Sequence, residues 1–78
     1  MRKHSDSVKF PNVKVRLVGE DGNAFAILGR VTRAMRRAYV PKKERDAFMA
    51  EATSGDYDHL LGTVMKWVSV DLDDEDGA

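Results

Sequence analysis

The segment from Gly19 to Val40 constrains the fold more than any other part of the sequence. From Asn23 onward, successive residues about 100° apart place small and aliphatic side chains on one helical stripe and arginines on the opposite side. Asn23 suits the N-cap position, because its side-chain oxygen can accept a hydrogen bond from a free N–H of the first turn. Pro41 stops the pattern, since it lacks the N–H that a continuing helix needs. The segment predicts an amphipathic helix whose buried stripe contains Ala24, Ile27, Leu28, Val31, Ala34, Met35 and Ala38.

Two stretches near opposite ends of the chain alternate apolar and polar residues, as strands with one covered face do. Residues 13–18 form the first stretch and residues 68–73 the second. If the two strands pair with each other, they join the ends of the chain beneath a layer of helices. Pairing between the strands of two subunits would satisfy their backbone hydrogen-bonding groups equally well. The sequence leaves this choice and the strand orientation open.

Two more helices are predicted between the strands. The first begins at Pro41 and ends near Thr53, where Gly55 tolerates the left-handed conformation that closes many helices. The second is capped by Asp56 and carries an apolar stripe that reaches Trp67. We therefore expect a single small α+β domain with an N-terminal strand, three helices and a short C-terminal strand. The residues predicted to be buried are Ala47, Phe48, Met49 and Ala52 in one helix, and Tyr57, Leu60, Leu61, Val64, Trp67 and Val68 in the other.

Length and composition limit the class of protein. The 78 residues suit one small domain, and without cysteine the chain has neither disulfides nor a thiolate metal site. No stretch approaches the ~20 apolar residues of a membrane span, and the first residues lack the apolar run of a signal peptide. We expect a cytoplasmic protein that does not enter a membrane. It would consist of a flexible arm over residues 1–11, a domain over 12–72 and an acidic, disordered tail over 73–78.

Charge is segregated along the chain, although the formal net charge is zero. Residues 30–45 carry seven basic side chains and one acidic side chain, whereas residues 46–78 carry nine acidic and one basic. Such blocks are usually solvated surface, but arginines on one helix face can also grip the phosphates of a nucleic acid. The acidic tail could then cover this face. The candidate nucleic-acid face comprises Arg30, Arg33, Arg36, Arg37, Lys42 and Lys43.

The sequence offers little chemistry for catalysis. The pattern Gly19-x-x-Gly22 lacks the Lys-Ser/Thr of a nucleotide-binding loop, and its two carboxylates would repel phosphate. Neither His4 nor His59 has a partner at the spacing of metal ligands. Ser54 and His59 are close enough in sequence for a nucleophile and its base, but nothing else supports a hydrolase. We predict no catalytic residue, no metal and no cofactor, and a protein that is not an enzyme.

Other residues suggest a surface for another protein. Gly29 and Gly62 lie inside predicted helices, where glycine costs about 1 kcal/mol relative to alanine, so we expect a neighbouring helix or a partner to approach closely. We expect Trp67 to lie in the core as an anchor, and the alternative is that it lies in a protein interface. Helix capping does not account for all the polar residues near the two helix starts, so some of them could contact a partner. The candidate interaction region comprises Glu20, Asn23, Gly29, Asp58, His59, Gly62 and Trp67.

Two stretches resemble a family of small uncharacterised bacterial proteins. Residues 18–31 read Val-Gly-Glu-Asp-Gly-Asn-Ala-Phe-Ala-Ile-Leu-Gly-Arg-Val, and residues 48–61 read Phe-Met-Ala-Glu-Ala-Thr-Ser-Gly-Asp-Tyr-Asp-His-Leu-Leu. The resemblance implies a bacterial, cytoplasmic setting and carries over no activity. Our leading hypothesis is a non-enzymatic accessory protein that binds an unknown protein partner or forms a homodimer, through a strand edge or near Gly29 and Gly62. The alternative is a nucleic-acid-binding protein that uses the arginine face of the first helix.

Overall fold

The computed structural model describes residues 8–17 and 22–71. The predicted α+β architecture is confirmed: one strand, three helices and a short second strand form one small domain. The predicted acidic tail, Glu20 and residues 1–7 of the predicted arm lie outside the described residues. The elements are β1 (Phe10–Arg16), α1 (Ala24–Arg37), α2 (Lys42–Ala52), α3 (Tyr57–Trp67) and β2 (Val68–Asp71).

The two strands pair with each other within the chain, in parallel orientation. Val13 and Val15 of β1 are buried, whereas Lys14 and Arg16 are exposed, so the alternation in the sequence correctly predicts the face that the helices cover. β1 begins at Phe10, within the arm that the sequence predicts over residues 1–11.

The ladder is interrupted near the start of β1. Phe10 pairs with Val68, but the next pair is Lys14 with Ser69, so the pairing skips three residues of β1. Pro11 lies in this bulge and has no N–H to donate, while its carbonyl oxygen accepts a hydrogen bond from Ser69 Oγ at 2.8 Å. Proline and bulges at a sheet edge discourage pairing with further strands. The edge of β1 is therefore poorly suited to the strand-edge binding that the sequence allows.

The core lies between the sheet and the helices. Four of the residues predicted for α1 are buried and its alanines pack partly buried against them. In α2 the prediction is wrong for Ala47 and Met49, which are exposed, because the apolar stripe contains only Phe48 and Ala52 and the adjacent positions turn away from it. The buried apolar residues are Val13, Val15, Ile27, Leu28, Val31, Met35, Val40, Phe48, Ala52, Leu60, Val64, Trp67 and Val68.

Trp67 forms the centre of an aromatic cluster at the point where α3 passes directly into β2. Its ring centroid lies 5.8 Å from that of Phe48, nearly edge-on, and 6.0 Å from that of Phe10. The Nζ atom of Lys9 lies 4.5 Å from the centroid of the indole ring. Trp67 is only 5% exposed, so it is the core anchor that the sequence favours.

Helix α1 begins at the predicted N-cap and ends in a left-handed turn at Tyr39, before Pro41 is reached. Asn23 Oδ1 accepts a hydrogen bond from the backbone N–H of Phe25 at 2.8 Å, which confirms the N-cap. At the other end, Tyr39 has a φ of 62° and its N–H donates to the Arg36 carbonyl at 3.0 Å. The Val40 N–H donates to the carbonyl of residue 35 at 2.9 Å, which completes a Schellman motif. Glycine is the usual residue at this left-handed position, so Tyr39 is strained there.

Replacing Tyr39 with glycine should stabilise the fold. Tyr39→Gly removes the steric cost of the left-handed conformation, and the side chain it deletes is 91% exposed and packs on little. We expect a gain of about 1 kcal/mol, which for a domain of this size raises Tm by roughly 4–8 °C in thermal melts followed by circular dichroism. Ala38→Gly is the control, because Ala38 has a φ of −91° and glycine gains nothing there. An unchanged or lower Tm for Tyr39→Gly would contradict the strain.

Candidate functional site

The turn between α2 and α3 brings Ser54 and His59 together, as a nucleophile and its base would require. His59 Nε2 lies 3.1 Å from Ser54 Oγ and 2.8 Å from the backbone oxygen of Glu51. A carbonyl oxygen only accepts, so Nε2 carries a hydrogen and is not available to take the proton of Ser54. Ser54 Oγ itself donates to the Glu51 carbonyl at 2.7 Å. The two side chains together cap the C-terminus of α2, where carbonyl groups lack helical partners.

Gly55 makes room for this cap. A Cβ atom at this position would lie 2.8 Å from His59 Cγ and 2.9 Å from His59 Cβ, closer than real Cβ atoms come to a neighbour. The backbone of Gly55 is not left-handed. The sequence-based explanation of Gly55 as a left-handed helix terminator is therefore wrong, and the imidazole ring explains the glycine instead.

Glu51 links α2 to α3 through its side chain as well as its carbonyl. Its Oε2 lies 2.8 Å from Lys66 Nζ, and its Oε1 accepts a hydrogen bond from Trp67 Nε1 at 3.2 Å. The hydrogen bond from Lys66, followed by that from Trp67, holds the pKa of Glu51 below its ordinary value. The polar contacts of this turn thus converge on one residue.

The apolar surface nearest this turn is a groove of about 260 Å³ between the first turn of α1 and the start of α3. Phe25 and Tyr57 line it and are 83% and 46% exposed, although the sequence predicts Tyr57 to be buried. The Tyr57 hydroxyl donates to the carbonyl of Gly22, which draws the ring away from the core and ties the residue before the α1 cap to α3. The remaining lining residues are Ala24, Leu28, Ala52, Thr53, Gly55, Asp56 and Leu60.

The arginine face is largely present. Arg33, Arg36 and Arg37 are exposed, and none of them has an ion-pair partner among residues 8–17 and 22–71. Arg30 is half-buried, so it does not stand fully on the outer face as the sequence predicts. Lys43 is exposed, whereas Lys42 is engaged by Asp46 at 2.8 Å.

The candidate interaction region is not assembled as one site. Gly29 and Gly62 are exposed, and a Cβ atom at either would meet nothing within 4 Å. Of the two explanations for these glycines, close approach of a neighbouring helix is therefore wrong, and docking of a partner stays a prediction. Asn23 and His59 act as helix caps, and Trp67 is buried. Asp58 is exposed in the first turn of α3. Phe25 is highly exposed, although it belongs to neither of the two candidate regions predicted from the sequence.

Neither a metal site nor a membrane helix is present in the part of the chain that the structure describes. No group of three or more histidine, aspartate or glutamate side chains there could hold a metal ion, and no helix there is long and apolar enough to cross a membrane. No protein-family model, curated protein or solved structure matches this chain.

The close packing of Gly55 against His59 predicts a specific coupling. Gly55→Ala should destabilise the protein by about 1–2 kcal/mol, because the added methyl group displaces the imidazole from the α2 carbonyl. In a His59→Gly background, which lacks both the Cγ and the Cβ atom that the methyl group would meet, the same substitution should cost little. Urea unfolding of the wild type, both single variants and the double variant measures the coupling. Equal costs of Gly55→Ala in the two backgrounds would contradict this account of the glycine.

The lowered pKa of Glu51 predicts how stability depends on pH. A carboxylate whose pKa is lower in the folded state stabilises the fold above its unfolded pKa, and this contribution is lost as the pH falls through the folded value. The difference in free energy of unfolding between wild type and Glu51→Gln should therefore be largest above about pH 5 and shrink toward pH 3. Lys66→Met, which removes the main cause of the shift, should flatten this dependence. A difference that stays constant over this range would argue against it.

Proposed function

We propose that this chain is a non-enzymatic accessory protein that binds another protein. The observation that carries the proposal is the exposure of Phe25 at the rim of the apolar groove. An exposed aromatic ring beside a concave apolar surface is typical of protein interfaces, where such residues supply most of the binding energy. A bacterial, cytoplasmic setting completes the proposal, supported by the resemblance of residues 18–31 and 48–61 and by the absence of cysteine.

The groove suits a peptide segment better than a cofactor. Its volume of about 260 Å³ is below the usual range for small-molecule pockets and accommodates one bulky side chain. Asp56 lies in its lining, and Asp58 is exposed two residues further along. A partner segment with one large apolar residue beside a lysine or arginine would complement both the shape and the charge of this surface.

The proposal can be tested by selecting partners from a displayed library of random peptides. The wild type serves as bait, and a Phe25→Ser variant is used to deplete peptides that bind elsewhere. Enriched peptides should pair a bulky apolar residue with a basic one, and their chemical-shift perturbations should map to Phe25, Leu28 and Tyr57. Failure to enrich such peptides over the depleted pool would refute the proposal.

A homodimer is the other occupant that the sequence hypothesis allows, and sedimentation separates the two cases. If the protein self-associates and Phe25→Ser abolishes the association, the groove binds a second copy rather than a basic, apolar peptide. Concentration-independent monomers leave the peptide as its occupant.

Phe25→Ser should weaken the selected peptides at least about 30-fold, the effect of losing a central aromatic anchor worth roughly 2 kcal/mol. Its Tm should change little, because the ring is mostly solvated in the folded chain. Met65→Ser is the matched control, since it removes an exposed apolar side chain that does not line the groove. Equal weakening by both variants would show that Phe25 has no special role.

A further inference from the structure

The C-terminal end of α1 combines exposed positive charge with an exposed aromatic ring. Arg36 and Arg37 lie three and four residues after Arg33, so both share a face of the helix with it. Tyr39 follows within one turn, because its N–H bonds to the carbonyl of Arg36. This surface lies at the far end of α1 from Phe25 and the apolar groove.

Some cations of the described chain lie beside a carboxylate, and others do not. Lys9, Lys42 and Lys66 each lie within ion-pair distance of a carboxylate. No carboxylate of the ranges 8–17 and 22–71 lies within ion-pair distance of Arg33, Arg36 or Arg37, and their guanidinium groups can donate paired hydrogen bonds to phosphates.

Tyr39 has an unfavourable backbone conformation, and packing of its side chain does not offset the cost in free energy. Its φ of 62° is unfavourable for a residue with a side chain, and its 91% exposure shows that the ring gains little by packing. The next residue, Val40, is buried and its carbonyl accepts a hydrogen bond from Arg45 Nε at 3.3 Å, so the turn that carries the ring is anchored on α2. Tyr39 is therefore presented on a well-anchored backbone with both ring faces available.

We propose that this end of α1 binds single-stranded nucleic acid, with Tyr39 stacking on a base and Arg33, Arg36 and Arg37 contacting phosphates. Stacking on aromatic side chains and a cationic track for the backbone are the two elements of sequence-tolerant single-strand binding. In a duplex the faces of the bases are stacked on one another, so an exposed tyrosine ring has no free base face on which to stack. The ligand is therefore a single strand rather than the duplex that arginines alone would favour.

The site is independent of the proposed protein interface. Phe25→Ser should leave nucleic-acid binding unchanged, and Tyr39→Gly should leave peptide binding at the groove unchanged. Failure of one proposal is therefore distinguishable from failure of the other.

Fluorescence anisotropy of a labelled oligothymidine and an oligouridine of about 12 nucleotides, with a duplex of equal length, tests the assignment. We expect the single strands to bind more tightly than the duplex, with an affinity that falls steeply between about 50 and 200 mM salt. No single-strand binding at low salt, or a preference for the duplex, would overturn the proposal.

The variants separate stacking from charge. Tyr39→Gly should weaken single-strand binding roughly tenfold with little change in salt dependence, although it stabilises the fold, whereas Tyr39→Trp should retain binding. Arg33→Glu with Arg37→Glu should weaken it further and lower the salt dependence. If Tyr39→Gly leaves the affinity unchanged, the stacking role is wrong.

A charge-matched pair on the opposite side of the molecule provides the control. Lys14→Glu with Arg16→Glu changes the net charge by the same amount on the outer face of the sheet, away from the helical layer. This pair should reduce the affinity much less than the α1 pair does. Equal losses would indicate non-specific attraction to the whole protein and would overturn the assignment to α1.

Discussion

The packing of Trp67 holds together parts of the chain that are distant in sequence. Its ring meets Phe48 of α2 and Phe10 of β1, and its N–H binds the carboxylate of Glu51. Because β2 begins at the next residue, the position of this ring also determines where Val68 enters the sheet. A sheet of two strands is marginal by itself, so its persistence depends on side chains such as this one that attach it to the helices. The domain therefore depends on one aromatic cluster more than on its strand pairing.

Glu51 connects α2 to α3 through polar contacts, as Trp67 connects parts of the chain through apolar contacts. Its carbonyl receives His59 and Ser54, and its carboxylate receives Lys66 and Trp67. Both groups lie at the junction of α2 and α3, and they fix the turn that forms one wall of the apolar groove. Ser54 and His59, whose spacing in the sequence suits a nucleophile and its base, therefore help to hold the turn beside the apolar groove.

Helix α1 carries the two proposed surfaces at its two ends. It has 14 residues and is therefore about 21 Å long, so a segment bound near Phe25 and a strand bound near Tyr39 would not compete for space. The buried stripe between them holds the helix against the sheet. The rigidity of this helix would couple the orientation of one ligand to that of the other.

Periodicity in the sequence predicts the elements because it reports directly which face is covered. It correctly predicts the strands and helices, the caps at Asn23 and Asp56 and the buried stripe of α1. It fails where the reason for a residue is tertiary: Gly55 accommodates a ring from the next helix, and Gly29 and Gly62 face open space. The exposure of Phe25 and the left-handed backbone of Tyr39 are also invisible in composition, since either ring could have been buried by a different packing. The candidate surfaces therefore depend on the structure far more than the fold does.

The parallel orientation of β1 and β2 determines how the domain responds to tension along the chain. Phe10, the first residue of β1, and Asp71, the last residue of β2, lie at opposite ends of the sheet, because the strands run in the same direction. A pull on these two positions slides one strand along the other, so the hydrogen bonds between them are loaded together rather than broken one after another. If a bound partner and a neighbouring segment of chain pull on the two strands, the hydrogen bonds between β1 and β2 would oppose the force in shear.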